Sequence, residues 1–267
     1  MSPTTYKTIT YKKRKRGNKK GRLCNQVIRN LALSMLARNN DLYVNYSSFD
    51  QINNILGIEL FVGKQKYTQT KVVKNSNYME CLMHPENTGY NLNRAFFQSE
   101  EITSLLYKHL QLNNKNIINK NPYKNRYKNN NDLFLHIRLG DVAKFNVGIQ
   151  YYINHINKIK YDNLYIGSDE FSHDMIKEIK TLYPDVIFIE KDPINTIQFG
   201  STCKNIILSH GSFSAVIGYL AFDSNIYFPN CKPGWCALGM FSNKGWIGGS
   251  CVQAGDAGDE GRTDDFT

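Results

Sequence analysis

The segment Leu133-Phe134-Leu135-His136-Ile137-Arg138-Leu139-Gly140-Asp141 stays apolar for the length of a strand and then turns polar. A buried strand ending in His136, Arg138, Gly140 and Asp141 opens onto a polar site, and open α/β sheets hold ligands beyond the carboxyl ends of their strands. Arg138 presents five donors in a planar fork that grips a phosphate bidentately, so anion binding is the chemistry it predicts. The plainer alternative is a strand end with a surface arginine and a Gly-Asp turn. Gly21-Arg22-Leu23-Cys24-Asn25-Gln26 precedes a long helical pattern. A glycine turn there leaves backbone N–H groups free at a helix start, where an anion is favoured. Arg22 adds charge, while Asn25 and Gln26 add amides. The same residues also suit an ordinary capped turn, and the spacing is neither that of a Walker A loop nor GxGxxG. Ser209-His210-Gly211-Ser212-Phe213-Ser214 repeats the arrangement, with Ser212 and Ser214 fitted either to capping or to donating toward phosphate oxygens. In Gly167-Ser168-Asp169-Glu170 a carboxylate can accept from a ribose or a base, or cap the next helix. Adjacent carboxylates diverge on a strand, so no metal is expected there. Asn93 to Glu101 contributes two aromatics for a core and Ser99 for a cap.

The C-terminal half alternates the elements needed to position these groups. Strands are predicted at Asp132–Arg138, Asn163–Gly167, Asp185–Glu190, Lys204–Ser209 and Asn225–Phe228. Helices are predicted at Ile149–Lys160, Phe171–Leu182, Pro193–Phe199 and Ser212–Phe222. Continuous apolar strands between amphipathic helices imply a parallel sheet covered on both faces, a Rossmann-like domain. The N-terminal half reads as a weaker version: strands at Thr5–Tyr11, Leu42–Tyr46 and Ile58–Val62, helices at Leu23–Arg38, Phe49–Leu56 and Ile102–Leu110. Residues 113–131 are dominated by Asn and Lys and read as a linker or long loop. The expected architecture is therefore α/β, with two Rossmann-like domains facing across a cleft. Residues 1–112 and 132–245 are the two expected domains, with a ligand between them, and 246–267 are a Gly/Asp-rich tail.

The bounds agree with a globular enzyme. The chain has 267 residues, 41% hydrophobic and 21% charged, enough for a full core. No apolar run reaches the length of a membrane span, and no apolar segment follows the basic N-terminus, so a soluble cytoplasmic protein is expected. Six cysteines are too sparse for a disulfide scaffold and lack zinc spacing, so they read as reduced structural thiols. The net charge of +10 points to an anionic partner. Much of it sits in the block from Lys12 to Lys20, a candidate contact for anionic surfaces. No aromatic-interleaved basic surface accompanies that block, so no specific nucleic-acid partner is expected.

Taken together, these segments resemble glycosyltransferase family 11, the α-1,2-fucosyltransferase-like enzymes. Gly21 to Gln26 is similar to the family's Gly-x-Leu-Gly-Asn-Gln, and Phe96-Phe97-Gln98-Ser99-Glu100 to its Tyr-Phe-Gln-Ser-Glu. His136-Ile137-Arg138-Leu139-Gly140-Asp141 resembles its His-x-Arg-Arg-x-Asp. Ser168-Asp169 resembles Ser-Asp-Asp, and Ser212-Phe213-Ser214 the end of Asn-Ser-Ser-Phe-Ser. The resemblance implies a GT-B fold, a GDP-fucose donor substrate, a sugar-hydroxyl acceptor, inversion, and catalysis with no metal and no cofactor. It implies catalytic roles for Arg138, His136 and Asp141. Donor contacts would come from Arg22, Asn25, Gln26, Ser168, Asp169, His210, Gly211, Ser212, Phe213 and Ser214, and acceptor-side contacts from Gln98, Ser99 and Glu100. Cys24 stands where the family has Gly, Leu139 where it has a second Arg, His210-Gly211 for Asn-Ser, and Ala215-Val216 for a Trp pair. Two other readings remain: a GT-B transferase using a different nucleotide sugar, and a non-catalytic nucleotide- or glycan-binding relative.

Overall fold

The computed structural model describes residues 22–92, 95–231 and 238–251. The strand expected at Thr5–Tyr11, the basic block, Gly21, Asn93, Arg94, Cys236 and the tail from 252 lie outside the described residues.

Leu23–Asn39 is helix α1, within one residue of its predicted span. Arg29, Asn30 and Ser34 are buried on it alongside Val27, Leu31 and Leu36. Burial on nearly every side marks an internal helix rather than a surface one. The rest of the N-terminal half is less regular than its apolar pattern predicts. Leu42–Tyr46 and Ile58–Val62 run extended without forming a ladder; one isolated bridge joins Leu42 to Gln65. The helix expected at Phe49–Leu56 is a short π-helical turn, Asp50–Ile55. The only named sheet before residue 100 among the described residues is a parallel pair, β1 (Thr70–Val72) with β2 (Gly89–Asn91), flanking α2 (Tyr78–Met83). Val44, Ile58 and Leu60 are nonetheless buried. Their apolarity serves packing beside α1, and a short apolar run cannot by itself distinguish that from strand pairing.

Helix α3 (Glu100–Leu112) lies where expected. The segment read as a linker is instead folded: α4 (Lys115–Lys120) and a 3₁₀ turn at Lys124–Arg126 carry buried Ile117, Asn121 and Tyr127. Asn116, Asn121 and Asn130 bond back into the fold. Asn121 Nδ2 donates to the Gln198 carbonyl at 2.9 Å and to Tyr127 Oη at 3.2 Å, while its Oδ1 accepts the Tyr123 N–H at 2.8 Å.

The main sheet follows the predicted pattern. Its strands are β3 (Leu133–Ile137), β4 (Leu164–Ser168), β5 (Ile187–Phe188), β6 (Asn205–Ile207), β7 (Asn225–Pro229) and β8 (Ile247–Gly249). The intervening helices are α5 (Ile149–Ile156), α6 (Asp174–Leu182), α7 (Pro193–Gly200) and α8 (Ser212–Tyr219). All pairings are parallel, in the order β5-β4-β3-β6-β7-β8. This is a doubly wound order: the chain builds outward from β3 to one side, then returns to its other side with β6. Strand β8 falls in the stretch read as a tail. A three-residue edge strand, two of them Gly, carries almost no sequence signal.

Every residue of β3 is buried, and its alternation sorts the two faces. Leu133, Leu135 and Ile137 pack with Tyr151, Tyr152, Ile156, Ile176 and Ile179 of α5 and α6. Phe134 belongs to the opposite core, with α1, α3, α7 and α8. That second core also holds the N-terminal residues from Cys24 to Leu110. Cys231 and Cys251, each two residues past its strand, form a disulfide that joins the ends of β7 and β8, where reduced thiols were expected. Cys24, Cys81 and Cys203 are free and buried.

Candidate anion-binding site

In a doubly wound sheet the ligand crevice opens where the strand order reverses, between the carboxyl ends of β3 and β6. Strand β3 ends there in Arg138, and β6 runs through Ser209 and His210 into the start of α8. Two of the segments singled out by composition are thus neighbours through the β3–β6 pairing, in which Leu133 faces Asn205 and Leu135 faces Ile207.

Arg138 is the hub. Its Nη1 pairs with the Asp169 carboxylate, and its Nη2 with Asp141. Asp141 also receives Nη2 of Arg22, the residue that precedes α1. Four charged groups from three elements therefore form one chain, Asp169–Arg138–Asp141–Arg22. The Asp169 end is fixed: its Oδ1 also accepts the Leu139 N–H at 2.8 Å. A Cβ at Gly140 would collide with that carboxylate, so glycine is what lets β3's exit pass it. Asn146 Nδ2 ties down the Arg138 carbonyl at 2.9 Å. Burial first, and the nearby Arg22 charge second, push the Arg138 pKa below its ordinary value, with Asp141 opposing. A guanidinium stays charged through such a shift.

His136 lies two residues before Arg138, on the Phe134 face of β3, which turns its ring toward α8. The imidazole stacks on Phe213 at 4.8 Å, and its Nδ1 shares a 2.5 Å hydrogen bond with Ser214 Oγ. Ser214 Oγ also accepts the Ser209 N–H at 3.1 Å. Burial, reinforced by the Arg138 charge, lowers the His136 pKa to about 3. A neutral, enclosed ring of this kind holds the start of α8 against β3. Gly211 is the N-cap of α8 at φ +96°, a conformation that glycine alone adopts without strain, and it offers no capping side chain. The first-turn N–H groups of a helix, here those of Ser212 and Phe213, have no intrahelical acceptor. His210 is buried, its pKa lowered to about 4 mainly by that burial, with Cys231 Sγ 3.6 Å from its Nε2.

The structure joins two further predicted segments. Gln98 Nε2 donates to Asn25 Oδ1 at 2.9 Å, placing the loop before α3 against the first turn of α1. Ser99 is the N-cap of α3 without a side-chain cap bond, and Glu100 is the exposed first residue of that helix. Gln26 Oε1 accepts from Ser48 Oγ at 2.6 Å, a partner with no motif around it to find it by. Ser48 and Phe97 are both non-glycine residues at positive φ, +52° and +56°. Two such strained positions beside the opening turns of α1 cost of order 1–3 kcal/mol each, and strain of this kind concentrates at functional sites.

Several departures from the resembling family explain themselves. Leu139 is 1% exposed and packs in the α5–α6 core, so its side chain does not face the crevice. Cys24 is the second residue of α1, buried, with its thiol pKa pushed far up by that burial. Ala215 and Val216 are core residues of α8. Ser168 Oγ accepts the Glu170 N–H at 3.2 Å, within the turn that leaves β4. Among the described residues no helix is long and apolar enough to cross a membrane.

No family model matches the chain, and no curated protein matches it. Solved structures do. A NodZ α-1,6-fucosyltransferase co-crystallised with GDP is 14% identical with a TM-score of 0.36, covering 56% of this chain and 57% of that one. A NodZ crystal soaked with GDP-fucose gives the same identity and TM-score, over 55% and 57%. Fucosyltransferase NodZ from Bradyrhizobium is 13% identical with a TM-score of 0.37, over 56% and 57%. This chain thus spans a little over half the length of the structures it matches.

Proposed function

We propose that this chain is an inverting fucosyltransferase that moves L-fucose from GDP-fucose to a sugar hydroxyl, forming an α-1,2 linkage without a metal ion. The observation that carries the reading is the Asp169–Arg138–Asp141–Arg22 charge chain beyond the carboxyl end of β3, the strand that pairs with β6 at the reversal point of the sheet. The donor and the linkage come from the five motif resemblances, which run in family order along the chain.

Breaking the bond between the sugar and the nucleoside diphosphate leaves negative charge on the β-phosphate. Fixed donors aimed at that charge lower the barrier, each worth about 10²–10³ in rate. Arg138 is suited to this because Asp169 and the Asn146 bond to its carbonyl hold it before substrate arrives. The Ser212 and Phe213 N–H groups add a second set of donors from the opposite wall. Inversion requires the acceptor oxygen to approach the sugar from the face away from the diphosphate. We assign that approach to Gln98, in the loop before α3, and to Ser99 and Glu100 at the start of that helix. His136 takes no part in proton transfer in this scheme, being neutral and engaged by Ser214.

Incubating the chain with a panel of sugar nucleotides and β-galactoside acceptors tests the reading, with turnover expected from GDP-fucose. Arg138→Ala is expected to lower kcat by about 100-fold or more while circular dichroism stays native. A folded Arg138→Ala chain transferring fucose at the wild-type rate would sink the phosphate assignment.

A further inference from the structure

We propose that Asp141 is an exchangeable counter-ion whose carboxylate stands where a diphosphate binds, and that Arg22 is the second cation of that diphosphate site. The inference rests on the nucleotide reading above but makes a separate claim about how the site fills. Arg22 and Arg138 are far apart along the chain, one preceding α1 and one directly following β3, yet both guanidiniums converge on a single carboxylate. Two guanidiniums that close on one carboxylate are spaced to close on one phosphate, because both acceptors offer oxygens to the same planar forks.

The two carboxylates around Arg138 are not equivalent. Asp169 has 28% of its side chain exposed and is locked by the Leu139 N–H. Asp141 has 55% exposed, and its Arg22 partner 67%. Contacts that open to water are screened and weak, so Asp141 is the member that can leave. A diphosphate carries more charge than a carboxylate and offers more acceptor oxygens, so it outcompetes Asp141 for both arginines. Asp169 keeps Arg138 aimed throughout the exchange. The same anion then holds the start of α1 to the carboxyl end of β3, so donor binding fixes the N-terminal helix, with its Asn25–Gln98 contact, in place.

Calorimetry on the full chain with GDP, inorganic pyrophosphate and guanosine tests this. Arg22→Ala is expected to weaken GDP and pyrophosphate at least tenfold and leave guanosine unchanged, with Arg22→Lys restoring part of the loss. Asp141→Asn, and independently Asp141→Ser, are expected to bind both anions several-fold more tightly. Arg22→Ala binding GDP like wild type, or both Asp141 variants binding it more weakly, would overturn the counter-ion assignment while leaving the fucosyltransferase reading standing. Wild-type chain that binds pyrophosphate but not GDP would support the two-arginine site and refute the nucleotide donor. Wild type binding neither anion would overturn both.

Discussion

His136 shows how one side chain can sit in a motif and serve a different purpose from the one its type advertises. Its imidazole is buried between Phe213 and Ser214, and burial lowers its pKa to about 3. His210 is likewise lowered, to about 4. In the unfolded chain both rings take up a proton near 6.5, whereas the folded chain excludes it. Folding stability is therefore fully present above about pH 6.5. It falls as the pH drops toward the folded values, by about 1.4 kcal/mol per pH unit for each ring. Urea denaturation at pH 7.5 and pH 5 should show the loss, and His136→Gln should flatten the slope between them. An unchanged slope would mean that the ring is protonated in the folded chain. At this scale the sequence announces residues whose polarity interrupts an apolar run: Arg138, Asp141 and Asp169 all stand out in that way. It cannot announce what they point at. Asp169 reads equally as a ribose acceptor or a helix cap, and the structure spends both its oxygens on Arg138 and Leu139. Ser48 sits in a loop with no pattern at all.

Elements were legible where periodicity ran long and where strand and helix alternated. Helix α1 and the series from β3 to β7 follow the hydrophobic pattern, most clearly at the central strands β3 and β6, which are buried on both faces. The stretch from 113 to 131 was not legible, because Asn and Lys runs lack an apolar face and yet can fold through side-chain hydrogen bonds. Arg126 shows the device: it pairs with Asp132 at 2.7 Å, donates to Thr202 Oγ1 at 3.1 Å and lies over the Phe199 ring at 4.5 Å. Asn121→Ala would strip partners from the buried Tyr127 hydroxyl and the Gln198 carbonyl, a loss of about 1–3 kcal/mol. Chemical denaturation measures this directly, and a tether between domains would show no change.

At the scale of the whole molecule, the cleft between two domains expected from the sequence meets a continuous core. Cys24, Leu31 and Leu106 share a cluster with Phe134, Ile206 and Val216, so N-terminal and C-terminal residues pack in one interior. Trp246, in the segment leading to β8, seals it from the other end against Tyr107 and Tyr219. Such a core predicts a single cooperative unfolding transition, with far-ultraviolet circular dichroism and tryptophan fluorescence sharing one midpoint. Two separated transitions would restore the picture of independent halves. The strand order has a consequence in time as well as in space. Strands β3 and β6 are neighbours in the sheet, but α5, β4, α6, β5 and α7 lie between them along the chain. During synthesis Arg138 emerges well before β6, the strand that pairs with its own. Until that long connection closes, β3 lacks one of its two neighbours, and closing it carries the entropic cost of a distant pairing. A nascent or truncated chain can therefore hold much of its helix and strand content before β3 and β6 pair, so the return of the native tertiary signal on refolding reports the final closure of the sheet.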